Sequence, residues 1–346
     1  MRVLVLGGTR FIGYFLVHRL LAAGHAVTLL HRGATPDPFG DRVARIRGDR
    51  HAGDLQALLG GREFDAAVDL IAYTAADARG AVQALKNRVG RYVMISTGQV
   101  YLIRKGCPWP AAESDYDGPL IPEPEAAEDQ ADWAYGAGKR ACEDVLAEAW
   151  QERRFPATRL RIPMVHGPRD NFRRIERYLA RVLDGGPVLV PATPEGVTVR
   201  LRHVYVADIV DAILTVLRTP AAAGQAYNLC QQEILSLADF IALLGRIAGA
   251  SPRVIPVPPA ELAAADLDTV LLSPFSGRWM SFLDPARAAA ELGFRHRPLE
   301  RYLETIVTCH LAHPAADAPP GYDRRRDELA LAARLVPAAR LAGGSP

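Results

Sequence analysis

The chain has 346 residues, a formal net charge of +2 at pH 7 and 49% hydrophobic residues, so it is long enough for more than one average domain and for a large core. The near-neutral charge gives no general attraction to nucleic acid or to an anionic membrane, and we expect neither as a partner. The N-terminal apolar run is too short for a signal peptide, and no other run has the length of a membrane span. We therefore expect a cytoplasmic protein.

The first element is a short apolar strand, Arg2–Leu6, that breaks into a glycine turn and continues as a helix over Phe11–Leu21. Glycines at the turn let the backbone approach a pyrophosphate, and the helix N-terminus offers unpaired N–H groups. In this strand–turn–helix context the pattern predicts a dinucleotide site. Its predicted contacts are Gly7, Gly8, Thr9, Arg10, Phe11, Ile12 and Gly13.

Further strands and helices alternate along the chain, which predicts an α/β fold with a Rossmann-type, doubly wound parallel sheet. The predicted strands are Ala26–Leu30, Val43–Arg47, Ala66–Ile71, Tyr92–Ile95 and Ala157–Arg161. The predicted later helices are Arg173–Leu183, Leu237–Ala248 and Arg324–Leu335, and Tyr116–Asp132 reads as a loop over the active site.

We expect three regions. Residues 1–165 form mainly the dinucleotide-binding domain, and residues 166–311 form mainly a smaller C-terminal substrate lobe with returns to the sheet. Residues 312–346 contain a helix and then a disordered tail. The four cysteines, Cys107, Cys142, Cys230 and Cys309, are far apart and show no metal or redox spacing, so we expect reduced thiols and no metal site.

The second predicted strand ends in His31-Arg32-Gly33, and no acid follows before Asp37. A carboxylate at this place would bind the 2′-hydroxyl of NAD, whereas Arg32, together with Arg10, can pair with the 2′-phosphate of NADP. We therefore predict NADP, with NAD as the alternative. In the other interpretation both arginines are solvated or contact the pyrophosphate.

A second motif, Tyr135-Gly-Ala-Gly-Lys139, follows a strand that ends in Ser96-Thr97. Tyrosine and lysine four residues apart lie on one face of a helix, and an ammonium beside a phenol lowers the pKa of the phenol. Tyr135 can then exchange a proton with an alcohol or ketone, with Thr97 or Ser96 holding the same oxygen.

With these motifs, the chain over roughly residues 1–310 resembles the extended short-chain dehydrogenase/reductases, which include nucleotide-sugar epimerases, dehydratases and keto-reductases. The resemblance extends to the segments Arg161-Ile-Pro-Met-Val-His-Gly-Pro168, His203-Val-Tyr-Val-Ala-Asp208 and Ala226-Tyr-Asn-Leu229. The usual middle glycine of the loop is Arg10, as in the branch that also contains the chloroplast stem-loop RNA-binding proteins.

The resemblance implies a catalytic role for Thr97, Tyr135 and Lys139, the last two also contacting the cofactor. It places further cofactor contacts at Ala72, Pro163 and Asp49, the last beside adenine, although Asp49 is equally consistent with a surface turn. It also implies a homodimer in which two helices, roughly Ala75–Lys86 and Gly136–Trp150, pack against their copies.

Dehydratases of this superfamily have Asp-Glu after the catalytic threonine, whereas this chain has Thr97-Gly98-Gln99. An amide cannot abstract a proton, so we expect no 4,6-dehydration. Net reduction or oxidation of a carbonyl/alcohol pair and epimerisation through a transient ketone both remain open.

The substrate prediction depends on a basic helix. Four arginines, Arg169, Arg173, Arg177 and Arg181, recur every four residues, and Asp170-Asn171 would cap the start of that helix, where a sugar-nucleotide diphosphate would bind. Relatives place a diphosphate-binding arginine at the position of Leu201, which here lies between Arg200 and Arg202.

We therefore expect a sugar nucleotide or a comparable polar ketone. The alternative is a nucleic-acid-binding or non-catalytic member of the branch. The predicted substrate contacts are Ser96, Gln99, His166, Arg169, Asn171 and Arg202.

Overall fold

The computed structural model describes residues 1–335, and it contains alternating strands and helices from the first residues onward. The strands are β1 (Arg2–Leu6), β2 (Ala26–His31), β3 (Val43–Arg47), β4 (Ala66–Asp69), β5 (Tyr92–Thr97), β6 (Ala157–Ile162), β7 (Val165–His166), β8 (Val188–Pro191), β9 (Arg200–Leu201), β10 (Val204–Tyr205), β11 (Ala226–Asn228), β12 (Leu235–Ser236) and β13 (Val254–Val257). The helices are α1 (Phe11–Ala22), α2 (Leu55–Leu59), α3 (Ala75–Leu85), α4 (Gln99–Leu102), α5 (Ala127–Arg153), α6 (Arg174–Leu183), α7 (Val206–Arg218), α8 (Leu237–Ala248), α9 (Pro259–Ala264), α10 (Thr269–Leu272), α11 (Ala286–Leu292), α12 (Leu299–Ala312) and α13 (Arg325–Leu335).

Seven strands form one parallel sheet in the order β11-β6-β5-β4-β1-β2-β3. Val3 in β1 lies opposite Val27 in β2 on one side and Ala66 in β4 on the other. From β1 the chain adds β2 and β3 on one side, and it then crosses back to place β4 on the other side of β1. A switch point of this kind opens a crevice for ligands at the carboxyl ends of the strands. The predicted Rossmann-type fold is confirmed.

The core of this sheet is apolar on both faces, as expected for strands covered by helices. Leu4, Leu6 and Met94 pack with residues of α3 and α5, namely Ala78, Ala81, Ala84, Leu85, Cys142, Leu146 and Ala149. The small side chains of α3 and α5 let both helices lie close to the strands, so the sheet fixes where α5 carries its polar residues.

The predicted loop over Tyr116–Asp132 is wrong at its end, because α5 begins at Ala127. Two acids, Glu128 and Asp129, lie in its first turn, where a negative carboxylate interacts favourably with the positive end of the helix dipole. The acidic side chains that made this segment resemble a loop therefore stabilise the start of a helix. One consequence is that a continuous helix, rather than a loop, carries Asp132 and Tyr135.

The chain divides into two compact units. The first contains residues 1–167, 203–232 and 281–297, and the second contains residues 168–202 and 233–280 and the chain from residue 298 onward. The second unit is thus built from three separate segments, and the C-terminal helix α13 belongs to it. The disorder predicted for the last ten residues lies outside the described residues.

The second unit has its own core. The rings of Tyr178, Phe240 and Phe275 pack together, with the centroids of Tyr178 and Phe275 5.3 Å apart. Arg181 is fully buried and pairs with Glu328 of α13, and this pair ties α13 to α6. Within residues 1–335, no helix is both long enough and apolar enough to pass through a bilayer.

Candidate active site

The glycine turn after β1 has the shape of a phosphate cradle. Gly7 and Gly8 have φ values of +94° and +103°, which side-chain-bearing residues rarely adopt. A Cβ added at Gly13 would lie 2.4 Å from the Cα of Gly8, so helix α1 touches the turn backbone to backbone. These glycines fit a bound pyrophosphate, because only such a turn brings backbone N–H groups against a ligand.

Helix α1 begins with no side-chain cap. Arg10 is its N-cap residue in extended conformation and makes no capping hydrogen bond, while its Nε donates to the hydroxyl of Thr35 at 3.1 Å. Phe11 and Ile12 form the first turn and are half-buried, as is Thr9. The first N–H groups of the helix thus receive no capping bond from Arg10, and their contact with a phosphate stays a prediction.

The end of β2 is where the sequence predicts the residues that select the cofactor. Arg32 is 67% exposed, and its Nη1 lies 3.8 Å from a carboxylate oxygen of Asp49. Asp37 is buried and accepts from the guanidinium of Arg45, and this charge-assisted hydrogen bond holds the pKa of Asp37 below its usual value. Asp37 is therefore engaged in the interior, and the end of β2 presents an arginine to solvent.

Asp49 forms a tight turn, because its carboxylate also accepts the backbone N–H of His51 at 3.0 Å. Ala72 and Pro163, at the ends of β4 and β6, are buried. All three lie in the first unit with the glycine turn.

The catalytic candidates Thr97, Tyr135 and Lys139 come together at the carboxyl end of β5. A hydrogen bond joins Thr97 and Tyr135, and the ring of Tyr135 is 38% exposed. The Nζ of Lys139 lies 5.9 Å from the centre of that ring and donates to the carbonyl of Ile95 at 2.8 Å. Two hydroxyls and an ammonium thus share one small region, with the tyrosine facing outward.

Burial controls the acidity of this group. Loss of hydration at the hydroxyl raises the pKa of Tyr135 to about 12 although the residue as a whole is 38% exposed, and the hydrogen bond from Thr97 lowers that pKa in part. Burial also lowers the pKa of Lys139 to about 8. The net pKa of Tyr135 is therefore raised and not lowered as the sequence predicts, because the effect of burial on the phenol is the largest contribution.

The two glycines between Tyr135 and Lys139 are packing requirements. A Cβ at Gly138 would lie 2.3 Å from the carbonyl oxygen of Tyr73, and a Cβ at Gly136 would lie 3.1 Å from the carbonyl oxygen of Gln99. Helix α5 thus directly contacts the backbone of the loop after β4 and that of the first residue of α4. This close approach holds the tyrosine and the lysine against the ends of β4 and β5.

Tyr73 and its neighbours are the part of the site that sequence reasoning missed. The ring centre of Tyr73 lies 4.8 Å from the Nζ of Lys139 and 6.3 Å from the ring centre of Tyr135. His51 stacks on its other side and pairs with Asp77 at 2.9 Å. The only sequence signal was an aromatic residue just after a buried strand, which is not specific.

Gln99 and Ser96 have partners inside the protein. The side-chain amide of Gln99 donates to Asp132 at 2.9 Å. Ser96 is buried, and its hydroxyl donates to Glu143, which also pairs with Arg161. The hydroxyl of Ser96 is committed to this buried network, so we do not carry Ser96 into the proposed site.

His166 and His203 form a buried pair. The Nδ1 of His203 and the Nε2 of His166 are 2.7 Å apart, and both residues are at most 3% exposed. His166 was predicted as a substrate contact, and the structure places it under the surface of the first unit. Its role as a substrate contact stays a prediction.

The remaining substrate candidates lie in the second unit. Arg169 has a φ of +64°, Asn171 is exposed, and Arg202 is half-buried after β9. Asp170 accepts the backbone N–H of Arg174, whereas Asn171 makes no such bond at the start of α6.

The predicted basic stripe does not form a binding face over its later arginines. Arg173 pairs with Glu176 and Asp317, and Arg177 donates to the carbonyls of Val270 and Phe172. Arg181 is buried against Glu328. These three side chains stabilise the second unit, since each is held by partners in it.

Comparison with known families gives one clear match. The sequence profile of the NAD dependent epimerase/dehydratase family matches residues 3–230. Two curated proteins are similar over most of the chain. The chloroplast stem-loop binding protein of 41 kDa b from Arabidopsis thaliana is 27% identical over 276 residues, which cover 75% of this chain and 67% of that protein. The 2′-dehydrokanamycin reductase of Streptomyces kanamyceticus is 26% identical over 289 residues, which cover 82% of this chain and 77% of that protein.

Solved structures show the same fold. A dTDP-glucose 4,6-dehydratase from Bacillus anthracis in complex with NAD superposes with a TM-score of 0.69 at 16% identity, covering 90% of this chain and 97% of that chain. A UDP-glucuronic acid 4-epimerase from Bacillus cereus, solved with UDP-glucuronic acid and NAD, gives a TM-score of 0.66 at 21% identity, covering 90% and 99%. At these identities the likeness concerns the fold.

Proposed function

Since the chain belongs to the NAD dependent epimerase/dehydratase family, we propose that it is an enzyme that transfers hydride between a nicotinamide cofactor and the carbonyl or alcohol of a polar, sugar-like substrate. The observation that carries this proposal is the meeting of Thr97, Tyr135 and Lys139 at the end of β5, in the same unit as the glycine turn. A nicotinamide bound there supplies or accepts the hydride.

Each residue has a definite task in this proposal. In the reducing direction, the Tyr135 hydroxyl gives its proton to the substrate oxygen while the carbonyl carbon gains hydride, and Thr97 holds that oxygen through a hydrogen bond. Lys139 provides the positive charge that stabilises the phenolate left on Tyr135. In the oxidising direction, the phenolate takes the proton back from the alcohol.

We propose net oxidoreduction or epimerisation and not 4,6-dehydration. A Cβ at Gly98 would lie 2.2 Å from the hydroxyl oxygen of Ser281, so the place where dehydratases carry an aspartate has no room for a side chain. Gln99 follows as an amide that cannot remove a proton. The reductase relative from Streptomyces kanamyceticus supports the net reaction.

We propose NADP as the cofactor, because Arg32 is exposed at the end of β2 and Asp37 is engaged with Arg45. The solved neighbours were crystallised with NAD, which keeps NAD as the alternative. Mass spectrometry of the nucleotide retained through purification tests both points. Tightly retained NAD would indicate epimerisation, and exchangeable NADPH would indicate a reductase.

A second candidate function has one observation in its favour, the similarity to a protein named for binding a stem-loop. The contact would be with phosphates, and its affinity would fall steeply as salt rises. The second candidate would be favoured by an RNA affinity that falls with salt in this way, together with no consumption of the nicotinamide cofactor when carbonyl substrates are added. We further propose that the protein is a cytoplasmic homodimer.

A further inference from the structure

A carboxylate lies beside the proposed catalytic group. Asp132 is on α5, three residues before Tyr135, so both side chains lie on the same face of the helix. Its Oδ1 accepts the side-chain amide of Gln99 at 2.9 Å, and the backbone N–H of Gln99 donates to the hydroxyl of Thr97 at 3.2 Å. Hydrogen bonds thus connect Asp132 through Gln99 to Thr97.

Gln99 is 8% exposed and Asp132 is exposed. The buried amide therefore holds the Asp132 carboxylate in place, while the rest of that carboxylate stays open to solvent. A carboxylate has about four lone-pair sites and Gln99 fills one of them. The remaining sites are available to a donor on a bound molecule.

The segment of chain that contains Asp132 is rich in acids. Between Gly106 and Gly138 the sequence contains eight acids and no lysine, arginine or histidine, and basic residues flank it at Arg104, Lys105, Lys139 and Arg140. Glu113 and Asp115 accept backbone N–H groups, whereas four further acids are exposed, namely Asp117, Glu123, Glu125 and Glu128. The exposed carboxylates attract a cation and repel a phosphate.

Arg104 and Arg140 both lie against this segment, and within the described residues neither forms an ion pair with its carboxylates. Arg140 is buried under the segment, and its guanidinium donates to the carbonyl oxygens of Val100 and Tyr116. In the second unit, the residue at the expected diphosphate-binding position is Leu201, which is buried, and Arg173, Arg177 and Arg181 have partners of their own. These three arginines are thus engaged within the second unit, whereas Arg200, next to Leu201, is exposed.

We propose that Asp132 determines substrate specificity by binding a protonated amine, so that the substrate is an amine-bearing sugar or cyclitol rather than a sugar nucleotide. This inference rests on the proposed function and names the substrate class of that same site. A charge-assisted hydrogen bond from an ammonium to Asp132 places the neighbouring carbon–oxygen group of the substrate near Tyr135. The negative charge of Asp132 adds to the effect of burial in raising the pKa of Tyr135, and the bond to the ammonium offsets that charge.

Equilibrium binding to the full-length protein with NADP present tests this inference. The probes are glucosamine, galactosamine and streptamine, the same three compounds N-acetylated, and UDP-glucose. We expect the amines to bind at least about tenfold more tightly than their acetylated forms, as one charge-assisted bond allows. Asp132→Asn should abolish that preference, and Asp132→Glu should retain it because the charge is kept.

The matched control is Glu148→Gln, which removes the same charge from an exposed position on the same helix, about 24 Å along its axis. That variant should keep the preference. The inference is overturned by equal or tighter binding of the acetylated compounds or UDP-glucose, by no binding of any amine, or by a preference that survives in Asp132→Asn. The proposed function fails separately, when the purified protein neither retains nor turns over a nicotinamide cofactor.

Discussion

Tyr135 and Lys139 differ in what each contributes, and substitution can separate the two. Tyr135→Phe keeps the ring and deletes the group that moves the proton, and Lys139→Met keeps a similar stem and removes the charge. We expect each to reduce turnover by roughly a hundredfold or more. Cofactor binding should survive better in Tyr135→Phe, since Lys139 also reaches the nicotinamide ribose in related enzymes.

Steady-state turnover and cofactor titration measure these effects. Gln99→Ala is the comparison, because an amide orients a neighbour but carries no proton, so its cost should be far smaller. An inactive Gln99→Ala beside a fully active Tyr135→Phe would show that the Tyr135/Lys139 pair is only a feature of the scaffold.

The buried ammonium of Lys139 also makes stability depend on pH. Its pKa falls from 10.5 to about 8 on folding, so between these values the unfolded chain binds more protons than the folded chain. The free energy of unfolding should therefore rise with pH over this window, by up to about 3 kcal/mol. Below about pH 8 the full cost of burying the charge applies, and above about pH 10.5 that cost is absent.

Lys139→Met has no proton to lose at this position and should lack this rise. Chemical denaturation of both proteins across the window gives the difference, in which the titration of other groups largely cancels. A difference that stays constant with pH would contradict the assignment of the lowered pKa to Lys139.

Arg32 should determine the choice of cofactor. Arg32→Asp replaces a partner of the 2′-phosphate by a repelling charge, and we expect the affinity for NADPH to fall by about 1–3 kcal/mol. NADH has no 2′-phosphate, so its affinity should change little. Fluorescence titration with both cofactors checks this, with Arg153→Asp as a control at an exposed arginine elsewhere in the first unit. An equal loss for both cofactors would mean that Arg32 does not contact the 2′-phosphate.

At the scale of elements, contacts between a glycine and a distant segment set the shape of the site. Gly98 precedes α4 and has an ordinary φ of −67°, so space and not backbone strain excludes a side chain there. Gly98→Ala should destabilise the fold by about 1–3 kcal/mol, as overpacking does. Gly98→Ala combined with Ser281→Gly should recover most of that loss, because it removes the hydroxyl that the new Cβ would meet at 2.2 Å.

Thermal unfolding of the two single variants and the double variant gives the coupling energy. Gly61→Ala is the control, since a Cβ there meets nothing within 4 Å. Strictly additive effects of Gly98→Ala and Ser281→Gly would refute the steric account.

The elements that the sequence predicts well are those specified by local patterns. The strand before the glycine turn and the Tyr135/Lys139 spacing depend on neighbours in the chain, and both lie where the motifs indicate. Asp132, Tyr73 and Ser281 acquire their positions through contacts with segments far away in the sequence. A single sequence contains no periodic signal for such contacts, so the partner of Gln99 and the space at Gly98 became visible only in the structure.

At the scale of the whole molecule, the same limit applies to the second unit. Its segments are separated by returns to the first unit, and it includes α13, which the sequence prediction places in a separate C-terminal region. The arginines of α6 illustrate the consequence. Their four-residue spacing resembled a ligand-binding face, but the partner of Arg181 lies 147 residues later in the chain.

The sequence also predicts how the whole molecule assembles. Helices α3 and α5 pack beside each other on the sheet, and related enzymes dimerise through these two helices. Small residues such as Gly80 on α3 and Ala141 on α5 are only half-buried within one chain, so they permit close approach of a second copy. Light scattering should therefore show a homodimer at micromolar concentration.

Ala141→Arg places a like charge on both copies and should shift the protein to monomers, whereas Glu152→Lys, at the far end of α5, should leave the dimer intact. A monomeric wild-type protein at micromolar concentration would contradict the prediction.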